Sequence, residues 1–108
     1  MSDFETVSVK EVPAGALVLD VREDYEWIEG HAAGAVHIPL GELPARFEEL
    51  DPDTDTYVIC RTGGRSAQAA AWLVSQGYSA LFVAGGMGDW LEAGLPLQSE
   101  NGQEPTVR

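Results

Sequence analysis

Cysteine is almost missing from this sequence: 108 residues contain one, Cys60. A single thiol excludes an internal disulfide and any zinc site built on several thiolates. Such sparing use fits a reducing compartment, so a cytoplasmic location is expected. Basic residues are scarce as well, six against 18 acidic ones, for a formal net charge of −12. Phosphate backbones and anionic lipid surfaces need basic surface, so neither nucleic acid nor a membrane is an expected partner. No apolar run approaches the length of a bilayer span. The opening residues, Met1-Ser2-Asp3-Phe4-Glu5, lack a basic segment followed by an apolar one, so no signal peptide is expected.

What is present is ordinary for a globular protein, with 44% hydrophobic residues. A chain of this length makes one domain that buries roughly two thirds of its unfolded surface. Strand and helix patterns alternate. Thr6–Val9 is a short strand candidate, and Pro13 to Gly15 a turn. Leu17–Val21 is a near-continuous apolar run, the mark of a strand covered on both faces. Asp24 is placed to cap a helix through Glu29, closed by Gly30. Ala35–Ile38 reads as a third strand ended by Pro39. Pro44 suits the first turn of a helix to about Leu50, with Leu43, Phe47 and Leu50 on one face. Tyr57–Ile59 is a strand, Ser66–Gln76 a helix stopped by Gly77, and Ala80–Val83 a fifth strand. Gly85-Gly86 turns into a last short helix around Asp89–Ala93. This alternation predicts an α/β fold with a parallel sheet. The domain is expected over residues 5–97. The polar segment 98–108, with Gly102 and Pro105, is expected to be a disordered tail.

Cys60 closes the strand Tyr57–Ile59 and opens a loop, Arg61-Thr62-Gly63-Gly64-Arg65-Ser66, that leads into a helix. In parallel sheets ligands bind beyond the carboxyl ends of the strands, and Cys60 lies at one. Backbone N–H groups of a tight glycine-containing loop and of a helix start can hold an anion. Arg61 and Arg65, two of only six basic residues, flank the glycines. Each of these features favours a thiolate over a thiol and an anionic ligand beside it. A buried structural thiol gains nothing from such neighbours. The candidate nucleophile is therefore Cys60. Arg61, Thr62, Gly63, Gly64, Arg65 and Ser66 are the candidate ligand-binding residues, and Arg65 has the alternative of turning back to a carboxylate.

Three motifs in order carry a family resemblance. Leu19-Asp20-Val21-Arg22-Glu23 with Glu26 and Gly30-His31-Ala32-Ala33-Gly34-Ala35-Val36-His37-Ile38-Pro39 resembles the N-terminal signature of rhodanese-like domains. Cys60-Arg61-Thr62-Gly63-Gly64-Arg65-Ser66 resembles their active-site loop. Gly77-Tyr78, Val83 to Trp90 and Gly94-Leu95-Pro96 resemble their C-terminal signature. The resemblance covers about Val9 to Pro96. It implies a three-layer α/β/α sandwich around a mainly parallel five-stranded sheet. It also implies a thiosulfate-type sulfurtransferase whose cysteine carries a persulfide, with no metal or organic cofactor. The implied partners are a small anionic sulfur donor and an acceptor that is cyanide or a thiol, including a protein thiol. A monomer or weak homodimer is expected.

Rival readings come from other classes. Phosphatases and arsenate reductases of a related fold resemble a cysteine, five residues, then an arginine. Here Arg65 follows after four, so the loop is one residue short. A non-catalytic regulatory module commonly lacks the cysteine. A protein-to-protein sulfur carrier lies between enzyme and module. Elsewhere, His31 and His37 are assigned structural roles, since transfer from an ionised thiol needs no general base. Asp20 and Arg22 are expected to pair internally and order the loops. Glu23 and Asp24 read as charges at a helix start, and Trp27, Trp72 and Trp90 as packing residues.

Overall fold

The computed structural model describes residues 4–108; the part of the signal-peptide reading that falls on Met1, Ser2 and Asp3 lies outside them. In chain order the strands and helices are β1 (Glu5–Val7), β2 (Leu17–Asp20), α1 (Asp24–Glu29), β3 (His31–Ala32), β4 (Val36–His37), α2 (Leu43–Arg46), β5 (Thr56–Ile59), α3 (Gly64–Ser75), β6 (Ala80–Val83), α4 (Gly86–Glu92) and β7 (Leu97–Gln98). Short 3-10 turns cover Val9–Glu11, Leu40–Glu42 and Phe47–Glu49.

Five parallel strands form one sheet in the order β1-β6-β5-β2-β4. β5 is its central strand with β2 beside it, and the register sets Leu19 against Val58 and Asp20 against Ile59. Successive strand residues face opposite sides, so β2 and β5 need an apolar cover on each face. Leu19, Val58 and Cys60 pack with Ala69, Ala70 and Leu73 of α3 and Leu43 of α2. Val18 and Ile59 pack the other way, with Met87 and Trp90 of α4 and Ala32 of β3. The result is the expected sandwich of helices on both faces of a parallel sheet. Among the described residues no helix is long and apolar enough to cross a membrane.

Several local expectations change. Glu23, not Asp24, is the N-cap of α1, and Asp24 is its first helical residue. The helix expected from Pro44 to Leu50 is broken into α2 and a 3-10 turn. α4 begins at Gly86 instead of near Asp89, for a reason that belongs to the site. β3 and β7 form a small antiparallel ribbon that the sequence does not advertise. The segment expected as a disordered tail takes a defined course along α1. Glu100 N–H donates to the Ile28 carbonyl at 2.9 Å and Thr106 N–H to the Glu29 carbonyl at 2.8 Å. Val107 reaches the apolar cluster beneath α4. These donors meet carbonyls that a short helix leaves without partners at its C-terminus.

Candidate active site

β5 ends at Ile59 and delivers Cys60, 1% exposed, to the carboxyl edge of the sheet. The backbone then turns away from the strand because it is held from outside. Met87 N–H donates to the Cys60 carbonyl at 2.8 Å, and Gly88 N–H to the Arg61 carbonyl at 3.2 Å. A trans peptide points its C=O and N–H in opposite directions. Tying those two carbonyls to α4 therefore aims the N–H groups of Arg61 and Thr62 away from α4. The Gly63 carbonyl accepts from Ala67 N–H at 3.0 Å, which turns the Gly64 N–H outward in the same manner. Among the described residues, the N–H groups of Arg61, Thr62, Gly63, Gly64 and Arg65 make no hydrogen bond. The loop thus offers consecutive donors with no internal partner, next to a thiol.

This contact explains the early start of α4. Gly86 has φ +59°, and a Cβ there would overlap the Cys60 carbonyl oxygen. Only glycine lets α4 approach the loop so closely.

The sulfur itself has two polar neighbours from one residue. Ser66 N–H donates to Sγ at 3.4 Å, and Ser66 Oγ lies 3.2 Å from Sγ. Ser66 is fully buried in the first turn of α3, where helix N–H groups lack acceptors of their own. Its hydroxyl is also 3.2 Å from the Gly63 carbonyl.

The two arginines of the loop part ways. Arg65 is bound by Glu26 of α1 through Nη1–Oε1 and Nη2–Oε2 hydrogen bonds of 2.6 and 3.0 Å. Of the two readings of Arg65, the structure shows the turn back to a carboxylate: the fork that would grip an anion is engaged by Glu26. The Glu26 hydrogen bonds raise the Arg65 pKa, against a smaller opposing effect of burial, and the charges of Glu26, Cys60 and Asp20 add to the rise. Burial pushes the Glu26 carboxyl up. The Arg65 and Glu23 N–H hydrogen bonds and the charges of Arg65 and Arg22 outweigh it and hold Glu26 below its ordinary value of 4.5. Arg61 is different. Arg22, Arg46, Arg65 and Arg108 all have carboxylate partners. Among the described residues Arg61 and Lys10 are the two cations with none, and Arg61 runs beside Gly88 at the edge of the loop. Thr62 is exposed at the loop's tip.

Beneath the loop, Asp20 and Arg22 pair as expected, both fully buried. Arg22 Nη2 lies 2.7 Å from Asp20 Oδ2 and also donates to the Gly30 carbonyl at 2.7 Å. Among the described residues neither histidine makes a hydrogen bond to the sulfur. The imidazoles of His31 and His37 lie nearly parallel to the Trp27 indole, at centroid distances of 3.5 and 4.7 Å. Two coplanar imidazoles both so near one indole centre would overlap, so they occupy opposite faces of Trp27. His31 Nε2 meets the Glu100 carboxylate at 2.7 Å and His37 Nε2 the Arg22 carbonyl at 2.8 Å. Among the described residues no cluster of His, Cys, Asp or Glu is placed to hold a metal ion.

Sequence reasoning missed Glu26 and the Gly86-Met87-Gly88 segment. Glu26 was visible within the N-terminal signature, but with no role attached to it. The glycines were visible, but as a turn.

A family model described as rhodanese-like domain matches residues 8–93. A sulfurtransferase of Allochromatium vinosum is 37% identical over 87 residues, 80% of this chain and 81% of that protein. The thiosulfate sulfurtransferase GlpE of Pseudomonas entomophila is 35% identical over 95 residues, 83% of this chain and 87% of that one. The Bacillus subtilis protein YrkF, provisionally named a sulfur carrier, is 45% identical over 74 residues; the match covers 68% of this chain but only 40% of YrkF. Among solved structures, a rhodanese-related protein of Thermoplasma volcanium superposes with a TM-score of 0.82 at 35% identity, covering 88% of this chain and 98% of that one.

Proposed function

Because the chain belongs to the rhodanese-like domain family, we propose that it is a thiosulfate sulfurtransferase in which Cys60 carries the sulfur. The observation that carries this reading is the placement of Cys60: a thiol at the end of the central strand, with Ser66 N–H donating to Sγ and five adjacent N–H groups without partners among the described residues. Such an array suits a small oxyanion and the charge that remains after reaction. The Cys60 thiolate attacks the outer sulfur of thiosulfate. An S–S bond forms to Sγ, the bond to the sulfonate sulfur breaks, and sulfite leaves with its electron pair. The product is a Cys60 persulfide with the charge on its outer sulfur. A second nucleophile, cyanide or a thiol, takes that sulfur, and the electron pair of the S–S bond returns to Sγ. With one cysteine in the chain, the acceptor comes from outside and turnover is ping-pong. Arg61, without a carboxylate partner, supplies the positive charge for the donor dianion.

Phosphate chemistry is disfavoured. The arginine at the nearest position, Arg65, arrives one residue early and is engaged by Glu26. A sulfur-carrier role has one specific support, the name of the matching segment's host, YrkF. The two readings share the persulfide and differ in the acceptor.

Intact mass after incubation with thiosulfate tests the shared step. A gain of one sulfur atom, removed by dithiothreitol and absent in Cys60→Ser, is expected. No gain in the wild-type protein would refute the reading. Faster discharge by protein thiols than by cyanide would favour the carrier role over the enzyme.

A further inference from the structure

Charge moves at two sulfurs during transfer, and the inner one has a donor that can follow it. Ser66 Oγ stands 3.2 Å from Cys60 Sγ and 3.2 Å from the Gly63 carbonyl oxygen. A hydroxyl has one proton, so it serves one of these acceptors at a time. The Gly63 carbonyl also accepts from Ala67 N–H at 3.0 Å. It is therefore not stranded when the hydroxyl turns away, and the turn costs little. Ser66 N–H, at 3.4 Å from Sγ, is fixed by the helix and cannot follow the charge. Among the described residues the hydroxyl is the one adjustable donor beside this sulfur.

We propose that Ser66 is a catalytic residue for sulfur release: its hydroxyl donates to Sγ as the Cys60 thiolate leaves, and rests on the Gly63 carbonyl while the persulfide is loaded. The inference rests on the persulfide reading of Cys60. During loading, Sγ gives its electron pair to the new S–S bond and ceases to be an anion. A disulfide-bonded sulfur is a weak acceptor, and the hydroxyl then prefers the carbonyl. During release, the acceptor's electron pair bonds the outer sulfur, the S–S pair returns to Sγ, and charge develops beside the hydroxyl. A hydrogen bond to the thiolate lowers the barrier to its departure as a leaving group. The same bond holds back the thiolate as a nucleophile. Removing the hydroxyl should therefore slow release and leave loading unharmed, an asymmetry that a merely structural serine would not produce.

The test is Ser66→Ala, studied in single half-reactions. Alanine is a good helix former, and Ala67, Ala69, Ala70 and Ala71 already follow in α3, so the variant should fold. Loading with thiosulfate and discharge of the isolated persulfide by cyanide are each followed by rapid quench and intact mass. The pH is set where the loading rate no longer rises with pH. A hydrogen bond to a charged group is worth about 1.5–3 kcal/mol, so discharge should slow by roughly tenfold to a hundredfold. Loading should match or exceed the wild-type rate. In steady state the variant should accumulate persulfide, and Ser66→Thr, which keeps the hydroxyl, should restore discharge. Wild-type discharge in Ser66→Ala, or loading slowed as much as discharge, would overturn the proposal. Failure of the wild-type protein to form a persulfide would instead overturn the reading beneath it.

Discussion

Gly86→Ala should disable this site from behind. A Cβ at Gly86 would overlap the Cys60 carbonyl oxygen and lie 2.8 Å from the Arg61 carbonyl oxygen. Both are backbone atoms, so no rotamer change relieves the contact. The position also has φ +59°, which costs a non-glycine residue roughly 1–2 kcal/mol. If the loop retreats, the Met87 and Gly88 hydrogen bonds to those carbonyls are lost, about 0.5–1.5 kcal/mol each. The sum is about 2–5 kcal/mol, a large share of the roughly 5–15 kcal/mol typical of a domain. Gly34→Ala is the matched control: its φ is +81°, but nothing lies within 4 Å of the added Cβ. Urea unfolding and thiosulfate:cyanide kinetics on both variants separate backbone strain from loop displacement. Gly34→Ala should lose only the conformational share and keep wild-type kcat/KM. Gly86→Ala should lose more stability, and kcat/KM should fall more than tenfold because the loop N–H groups are re-aimed. Equal stability losses in the two variants, with wild-type activity in Gly86→Ala, would refute the claim that α4 shapes the loop.

Arg61→Ala should lower kcat/KM for thiosulfate about tenfold or more, mainly through KM, since a charge-assisted contact to an anion is removed; Arg46→Ala, on a surface pair with Glu42 and Glu49, should stay within about twofold. The Glu26–Arg65 pair should show in acid. The folded-state Glu26 carboxyl is held below its ordinary 4.5, so its stabilisation is complete above that value and is lost as pH falls through the depressed one. Wild type should therefore lose more stability than Glu26→Gln between about pH 5 and about pH 3; parallel acid curves would count against the pair. Deleting residues 99–108 removes the two hydrogen bonds from Glu100 and Thr106 to α1, and should lower stability by about 1–3 kcal/mol in denaturant titrations. An unchanged midpoint would mean that the segment does not cap α1 in solution.

Much of this architecture was legible because it depends on nearest neighbours in the chain. The apolar runs at Val18-Leu19 and Val58-Ile59 announce strands covered on both faces, and the five expected strands are the five of the sheet. Cys60 could be placed because strand end, glycines and helix start follow one another within a few residues. What was not legible depends on contacts between distant segments. Glu26 becomes a site residue because it meets Arg65, 39 positions away, and no local pattern distinguishes it from Glu23 or Glu29. Gly86 reads as an ordinary turn until the carbonyls of Cys60 and Arg61 are seen against it. The segment after Gln98 fails the local test for structure, being polar and rich in turn residues, yet it needs no core of its own. It supplies N–H groups to carbonyls that α1 leaves open and seats one apolar residue, Val107, in an existing cluster. The candidate nucleophile could therefore be placed where chemistry is written in consecutive residues. The groups that aim its loop were missed because their roles are created by the fold.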